Sequence, residues 1–469
     1  MRTSNVRLKG ITIQNFKNVV NGTLNLVHGN PDYKANILGL YGQNGSGKTA
    51  LIDALMLLKF ALRGLPVPDE FAEYVNVDAD FAYIKYEFRL DDAEHGNVYQ
   101  VNYEIRLKKE LRQADSNTDL GEMPEPRNKT VLYDEVLSYS CKGNDNHKLY
   151  AIIDTRTSDV FVPQTKYNEL VGKDKDTFMN LLVAKKMAAA ASRSFVFSRE
   201  LLEVIHKEGA NEKHLFVIDR MVYYGNFELF VINTTNSGLI SLNMLPISFK
   251  YDEPTKGFYG NLILKLNEPS VLPEKAAEIV PKVIENMNTV LTQIVPGLSI
   301  STQELDKQTL KNGETGTKIE IISHRNGRQI PLQYESEGIK KIVSVLHLLI
   351  AVYNNPSVTV AIDELDSGVF EYLLGELLRI IAEKGKGQLI FTSHNLRPLE
   401  TLNKCFIAFT TTNPENRYIR MNNVKTNNNL RDFYYRDILL GEQAEPVYET
   451  THNSEIAYAF REAGMSDGS

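Results

Sequence analysis

The octet Gly42-Gln-Asn-Gly-Ser-Gly-Lys-Thr49 constrains this chain more than any other segment. It fits G-x-x-x-x-G-K-[ST] and stands between an apolar run, Ile37 to Tyr41, that reads as a strand and an apolar helix, Ala50 to Leu62. Glycines at 42, 45 and 47 let the backbone turn sharply, so that its N–H groups face phosphate oxygens. The helix N-terminus addresses the same anion. Lys48 is placed to reach the β- and γ-phosphates and Thr49 to ligate Mg²⁺. Gly42, Asn44, Gly45, Ser46, Gly47 and Ala50 make up the rest of the cradle, and the implied ligand is ATP with Mg²⁺.

Three further motifs follow the cradle in the order expected of one site. Val358-Thr-Val-Ala-Ile-Asp-Glu-Leu-Asp366 is an apolar strand ending in carboxylates, as a central parallel strand does where it meets a ligand. Asp363 suits Mg²⁺, and Glu364 suits a general base that polarises water. Phe391-Thr-Ser-His-Asn395 ends another apolar strand, which puts His394 in reach of a γ-phosphate. Ser336-Glu-Gly338 precedes a helix, Ile339 to Val352, with Ile339, Ile342, Val343, Leu346 and Ile350 on one face. Ser336 is a natural N-cap there. The sharper reading is that Ser336, Gly338 and the helix N-terminus bind a γ-phosphate held by another protomer.

This order resembles the ABC ATPase heads of the SMC and RecF group, as does the opening Leu8-Lys-Gly-Ile-Thr-Ile-Gln-Asn-Phe-Lys17. The resemblance covers about 1–110 and 300–421. It implies an α/β head, a mixed sheet plus an antiparallel β-subdomain, with Ser336-Glu-Gly338 as signature loop, Asp366 in the D-loop and His394 as switch histidine. It also implies a head-to-tail dimer in which each ATP lies between two copies. The signature is abbreviated and lacks the group's paired glycines. The position of the Q-loop glutamine falls near Gln164. The segment Gly39 to Asp53 is similar to the stand-alone OLD-like ATPases of anti-phage defence, most of all the ATPase subunit of the PARIS system. That likeness implies a separate Toprim-type nuclease effector, held until a phage trigger protein releases it.

The expected organisation is an N-terminal half of the head over 1–160, a helix-rich insertion over 161–295, a C-terminal half over 296–440 and a loose polar tail over 441–469. Within it, Asn21-Gly22 marks a turn between strands at 6–13 and 23–27. Residues 112–130 form a loop. Residues 213–250 carry mixed signals. A helix over 275–294 kinks or starts at Pro281. No apolar run reaches a membrane span, and no secretory signal opens the chain. Two cysteines far apart, Cys141 and Cys405, argue against a disulfide framework or zinc ribbon and suit a cytoplasmic home. A net charge of −7 weighs against a dedicated DNA binder. Two basic clusters keep the RecF-like DNA-repair alternative open: 106–112, and Lys185-Lys186 with Arg193 and Arg199. No metal-ligand spacing supports a nuclease in its own right.

Overall fold

Strands of two kinds build the molecule, and their burial tells them apart. In the computed structural model, which describes residues 4–28, 33–111, 128–142, 148–233, 244–252, 257–310, 313–421, 429–441 and 443–465, one six-stranded sheet is buried on both faces. Its order is Tyr418–Ile419, Ile407–Thr410, Asn36–Tyr41, Gln388–Thr392, Thr359–Ile362, Leu229–Ile232. All its pairings are parallel except that of the two-residue strand at 418. Strands covered on both sides carry continuous apolar runs, here Ile-Leu, Val-Ala-Ile and Leu-Ile-Phe, and those runs were legible in the sequence.

The second sheet is antiparallel, in the order Val19–Asn25, Asn5–Phe16, Ala82–Asp91, Val98–Leu111, Asn128–Lys142, Tyr150–Asp154. Residues 135–141 of Asn128–Lys142 are buried without a break, whereas the strands Ala82–Asp91 and Val98–Leu111 alternate buried with half-buried residues, so there one face is covered. That face packs on the helix Lys48–Leu62, of which every residue but Thr49 is buried. A helix apolar all round belongs between two layers. The Tyr86 hydroxyl fastens it by donating to the Ala54 carbonyl at 2.6 Å.

A third core forms where the helix Glu274–Ile294 covers the sheet of Ser270–Pro273, Thr315–Arg325, Leu298–Thr309 and Arg328–Pro331. The helix Glu337–Asn354 joins this core to the parallel sheet. Ile342, Val343 and Leu346 pack into the third core, and Val345, Leu348 and Val352 into the parallel layer.

Several sequence expectations are corrected. Phe16 pairs with Val19, so the hairpin turns at Lys17-Asn18, and Asn21-Gly22 lies inside the second strand. Gly22 is there for space: a Cβ would sit 2.6 Å from the Tyr418 ring. The helix over 274–294 runs through Pro281 and does not start there. That residue lies on the exposed face, while Val280, Ile284 and Met287 anchor the helix on both sides of it. The stretch 161–295 is not a self-contained insertion. After helices Gln164–Leu170, Lys175–Ala190, Arg199–Glu208 and Glu212–Tyr223, the strand Leu229–Ile232 pairs in parallel with Thr359–Ile362 as an edge of the core sheet. The tail is partly anchored. Val447 is buried, the Thr412 amide donates to Pro446, and the Glu449 amide donates to the Gln43 side chain. A helix, Asn453–Met465, follows. Of the expected loop over 112–130, residues 112–127 lie outside the described residues.

Candidate functional site

The helix Lys48–Leu62 begins at a glycine, Gly47 with φ +93°, and no side chain caps it. Its first N–H groups therefore have no side-chain acceptor, the condition under which an anion is the natural partner. The preceding turn is held from several directions. Gly42 lies so close to Thr410 that a Cβ would fall 1.8 Å from its hydroxyl oxygen. Ser46 Oγ donates to the Gln43 carbonyl at 2.6 Å and pairs with the Thr410 hydroxyl. The Tyr418 hydroxyl donates to the Gly47 carbonyl at 3.0 Å, and Asn18 Nδ2 donates to the Gly45 carbonyl. Arg417 in turn holds the Asn18 carbonyl at 2.6 Å. The cradle is thus preorganised by Asn18 close by and by Thr410, Arg417 and Tyr418 from more than three hundred positions away.

Opposite the turn stand the ends of two neighbouring parallel strands. A cavity of about 360 Å³ lies between, lined by Asn44, Gly45, Gly47, Lys48, Thr49 and Ala50 on one side and by Asp363, Glu364, Thr392 and His394 on the other, with Lys17 and Asn18 at the rim. Lys48 Nζ donates to the carbonyls of Gly42 and Gln43, at 2.8 and 2.9 Å. Burial lowers its pKa, against the pull of Asp363, Glu364 and Asp366, which favour the charged form. Asp363 is buried and accepts from Thr392 Oγ1 at 2.5 Å, while that same hydroxyl accepts from the Glu364 amide at 2.8 Å. Glu364 itself is exposed toward the cavity and adopts φ +47°.

The candidate residues divide cleanly. Asn44, Gly45, Gly47, Lys48, Thr49, Ala50, Asp363, Glu364 and His394 meet at the cavity, whereas Gly42 and Ser46 shape it from behind. Asp366 does not line it. Its Oδ2 accepts from the backbone amides of His394 and Asn395, at 3.1 and 3.0 Å, and so holds the histidine turn, while its Oδ1 is buried without a partner. Ser336 and Gly338 do not line it either. Ser336 is exposed and caps its own helix, accepting from the Ile339 amide at 3.4 Å. Gly338 packs against the Gly368 carbonyl, 2.3 Å from where a Cβ would stand, so the serine loop and the turn after Asp366 touch within one chain. Gln164 opens a helix at a separate surface pocket beside Tyr167 and Asn168. The strand beside Thr359–Ile362 ends instead at Asn233, buried, whose side chain donates to Asp53 at 2.6 Å.

Sequence reasoning missed Lys17, Asn18, Thr392, Asn233 and Lys341. Lys17 pairs with Asp53 and lies over the Tyr74 ring, 3.9 Å from its centroid. Lys341 is buried, and its Nζ donates to the Glu364 carbonyl at 3.3 Å. Burial pushes its ammonium down to about 8, although Asp366, Glu364 and Asp363 all favour the charged form. None of these has a local signature. Each depends on a contact between distant segments.

The donor set fits Mg²⁺ bound with phosphates. Thr49 and Asp363 offer a hydroxyl and one carboxylate, and Mg²⁺ takes one or two protein carboxylates when phosphates supply the rest. No cluster of three acidic, histidine or cysteine ligands exists among the described residues, so a dedicated all-protein metal cage is not what this site offers.

A parallel sheet that sets a glycine turn against two strand-end carboxylates, with an antiparallel sheet laid over the same helix, defines an α/β ABC-type P-loop ATPase head. The chain belongs to the AAA ATPase domain family, whose model matches residues 7–397. Over 98 residues it is 33% identical to the DNA replication and repair protein RecF of Azobacteroides pseudotrichonymphae, a match that takes in 21% of this chain and 23% of that one. The chain therefore spans less than a quarter of that relative's length. The SMC head domain from Thermotoga maritima is similar over 88% of this chain and 99% of that one, at 15% identity and a TM-score of 0.35. The recombination mediator protein RecF-ATPrS of the RecFOR pathway is similar over 88% and 98%, at 14% identity and a TM-score of 0.36. No helix among the described residues is long and apolar enough to cross a membrane.

Proposed function

We propose that this chain binds Mg·ATP between Lys48 and the carboxylates of Asp363 and Glu364, hydrolyses it, and uses the cycle as a conformational switch. The carrying observation is the facing of cradle and carboxylates across one cavity, with Lys48 within electrostatic reach of Asp363, Glu364 and Asp366. Lys48 and the helix N-terminus hold the phosphates. Thr49 and Asp363 hold Mg²⁺, which when bound offsets the charge of the phosphate oxygens. Glu364 takes a proton from the attacking water, and His394, on a turn fixed by Asp366, donates toward the γ-phosphate.

In this reading the site is completed in trans. Ser336 and Gly338 of a second copy meet the γ-phosphate in a head-to-tail dimer, and the exposure of Ser336 away from its own cradle supports it. ATP then joins the copies and hydrolysis loosens them, a switch driven by differential contact with two states. At the finest level the proposal is an anti-phage sensor that holds a Toprim-type nuclease until a phage protein triggers release. It rests on the likeness of Gly39 to Asp53 to the PARIS ATPase subunit. Expression with such a nuclease, followed by mass photometry with and without ATP, tests it. A stable ATP-dependent complex is expected, and two proteins that never associate overturn the sensor role.

The 98-residue match to RecF favours a second reading, a DNA-repair ATPase. Its basic candidates are largely engaged: Arg106 with Asp134, Lys108 with Glu110, Arg193 with Glu200, Arg199 with Glu203, and Lys185 with three backbone carbonyls. DNA binding with a steep salt dependence would establish this reading in place of the first.

A further inference from the structure

We propose that Lys341 is a positioning residue for hydrolysis, tying the helix that opens at Ser336 to the backbone of Glu364 in the same chain. The inference rests on the ATPase reading of the cavity and adds to it a physical link between the serine loop and the base.

Glu364 holds a left-handed conformation, φ +47°, which a non-glycine residue keeps only where neighbours over-determine it. Those neighbours are identifiable. Its amide donates to Thr392 Oγ1 at 2.8 Å, and the amide of Leu365 donates to the Thr392 carbonyl at 3.0 Å. Its own carbonyl accepts from the Ser367 amide at 3.0 Å and from Lys341 Nζ at 3.3 Å. Three of these four bonds come from the parallel sheet and the turn itself. Only the lysine arrives from a helix.

Packing alone does not call for a lysine here. Lys341 is 4% exposed, next to Lys340, which pairs with Glu337, and just ahead of Ile342, Val343 and Val345, which pack into the two cores. An ammonium so placed is costly unless anions face it. Asp363, Glu364 and Asp366 do, all on the strand end and turn that carry the chemistry. The loop that leads into the helix also touches this turn, because Gly338 packs directly on the Gly368 carbonyl. A shift of Ser336 on meeting a phosphate therefore moves Lys341 with its helix and re-aims Glu364. Occupancy of the neighbour's nucleotide is reported to the chain's own base.

The test uses the full chain as wild type, Lys341→Met, Lys341→Gln, Lys341→Arg and Glu364→Gln. Fluorescent-ATP affinity, KM, kcat and Tm are measured for each. Lys341→Met is expected to keep nucleotide affinity and KM within about twofold and to lose about tenfold or more in kcat, the worth of one charge-assisted hydrogen bond. Lys341→Arg, which keeps the cation, is expected to recover kcat to within about threefold of wild type. If Lys341→Met does not fold, Lys341→Gln, which keeps a donor without the charge, carries the same expectation. Wild-type kcat in either neutral variant overturns the proposal. So does a kcat loss in Lys341→Arg equal to that in Lys341→Met, or a fall in affinity that accounts for the loss. Wild-type turnover in Glu364→Gln marks a different failure: the assignment of the base falls, and the positioning role falls with it.

Discussion

At the P-loop, each turn of backbone is pinned from elsewhere in the chain: Tyr418 on Gly47, Asn18 on Gly45, Thr410 on Ser46, Glu449 on Gln43. At the serine loop, Ser336 is exposed and its only described side-chain bond caps its own helix. The first region is finished before any ligand arrives, and preorganisation of that kind favours affinity. The second has its backbone fixed by Gly338 against Gly368 while its side chain faces outward. The contrast is what a shared site requires. In the proposed dimer one surface grips, and the other is brought to a triphosphate held by the second copy.

That contrast can be broken in four places. The largest effect is expected from Glu364→Gln, on the gripping side. Turnover should fall about 10²–10⁴-fold with ATP affinity retained, which single-turnover kinetics beside equilibrium binding measure. Normal turnover would remove Glu364 as the base. Lys48→Ala should weaken ATP binding about a hundredfold, through loss of a charge-assisted contact to the phosphates, read by fluorescent-nucleotide titration. Unchanged affinity would place the nucleotide elsewhere.

Ser336→Ala probes the waiting side. It should cost about 1 kcal/mol of stability as a lost N-cap and about tenfold in turnover. ATP-dependent dimer mass should be lost while ATP still binds. A variant that loses only the stability reduces Ser336 to a cap and leaves the shared site without its serine.

The last effect, on stability alone, concerns Lys59, in the last turn of the P-loop helix. It is wholly buried, donates to the Leu229 carbonyl at 2.7 Å and is pushed down by burial from 10.5 to about 7. The fold therefore disfavours its charged form. That penalty is complete below about pH 7 and is relieved as pH rises toward 10.5, where the unfolded chain also loses the proton. Relative to Lys59→Met, wild type should gain stability between pH 7 and pH 9, by no more than about 1.4 kcal/mol per pH unit. Denaturant unfolding of both proteins at the two pH values checks it. A constant difference would show that Lys59 stays charged in the folded protein across this range.

The motifs were legible in the sequence because their chemistry is contiguous. A glycine turn, a strand ending in carboxylates and a serine cap each need only neighbours within a few residues, and burial on both faces wrote the parallel strands as apolar runs. The hairpin at the start was misplaced because Asn21-Gly22 is a strong local turn signal. Its glycine answers instead to the ring of Tyr418, nearly four hundred residues on.

Tertiary structure alone decided the rest. That Leu229–Ile232 closes the core sheet depends on which backbone edge remains unpaired, and a four-residue apolar run carries no such information. That Lys17, Asn18, Thr392, Asn233 and Lys341 gather around the site, while Gln164 does not, is a matter of which distant strand ends and helices the cores bring side by side. Residue type and spacing along the chain specify what a segment can bind. Only the closing of the sheets specifies what stands across from it.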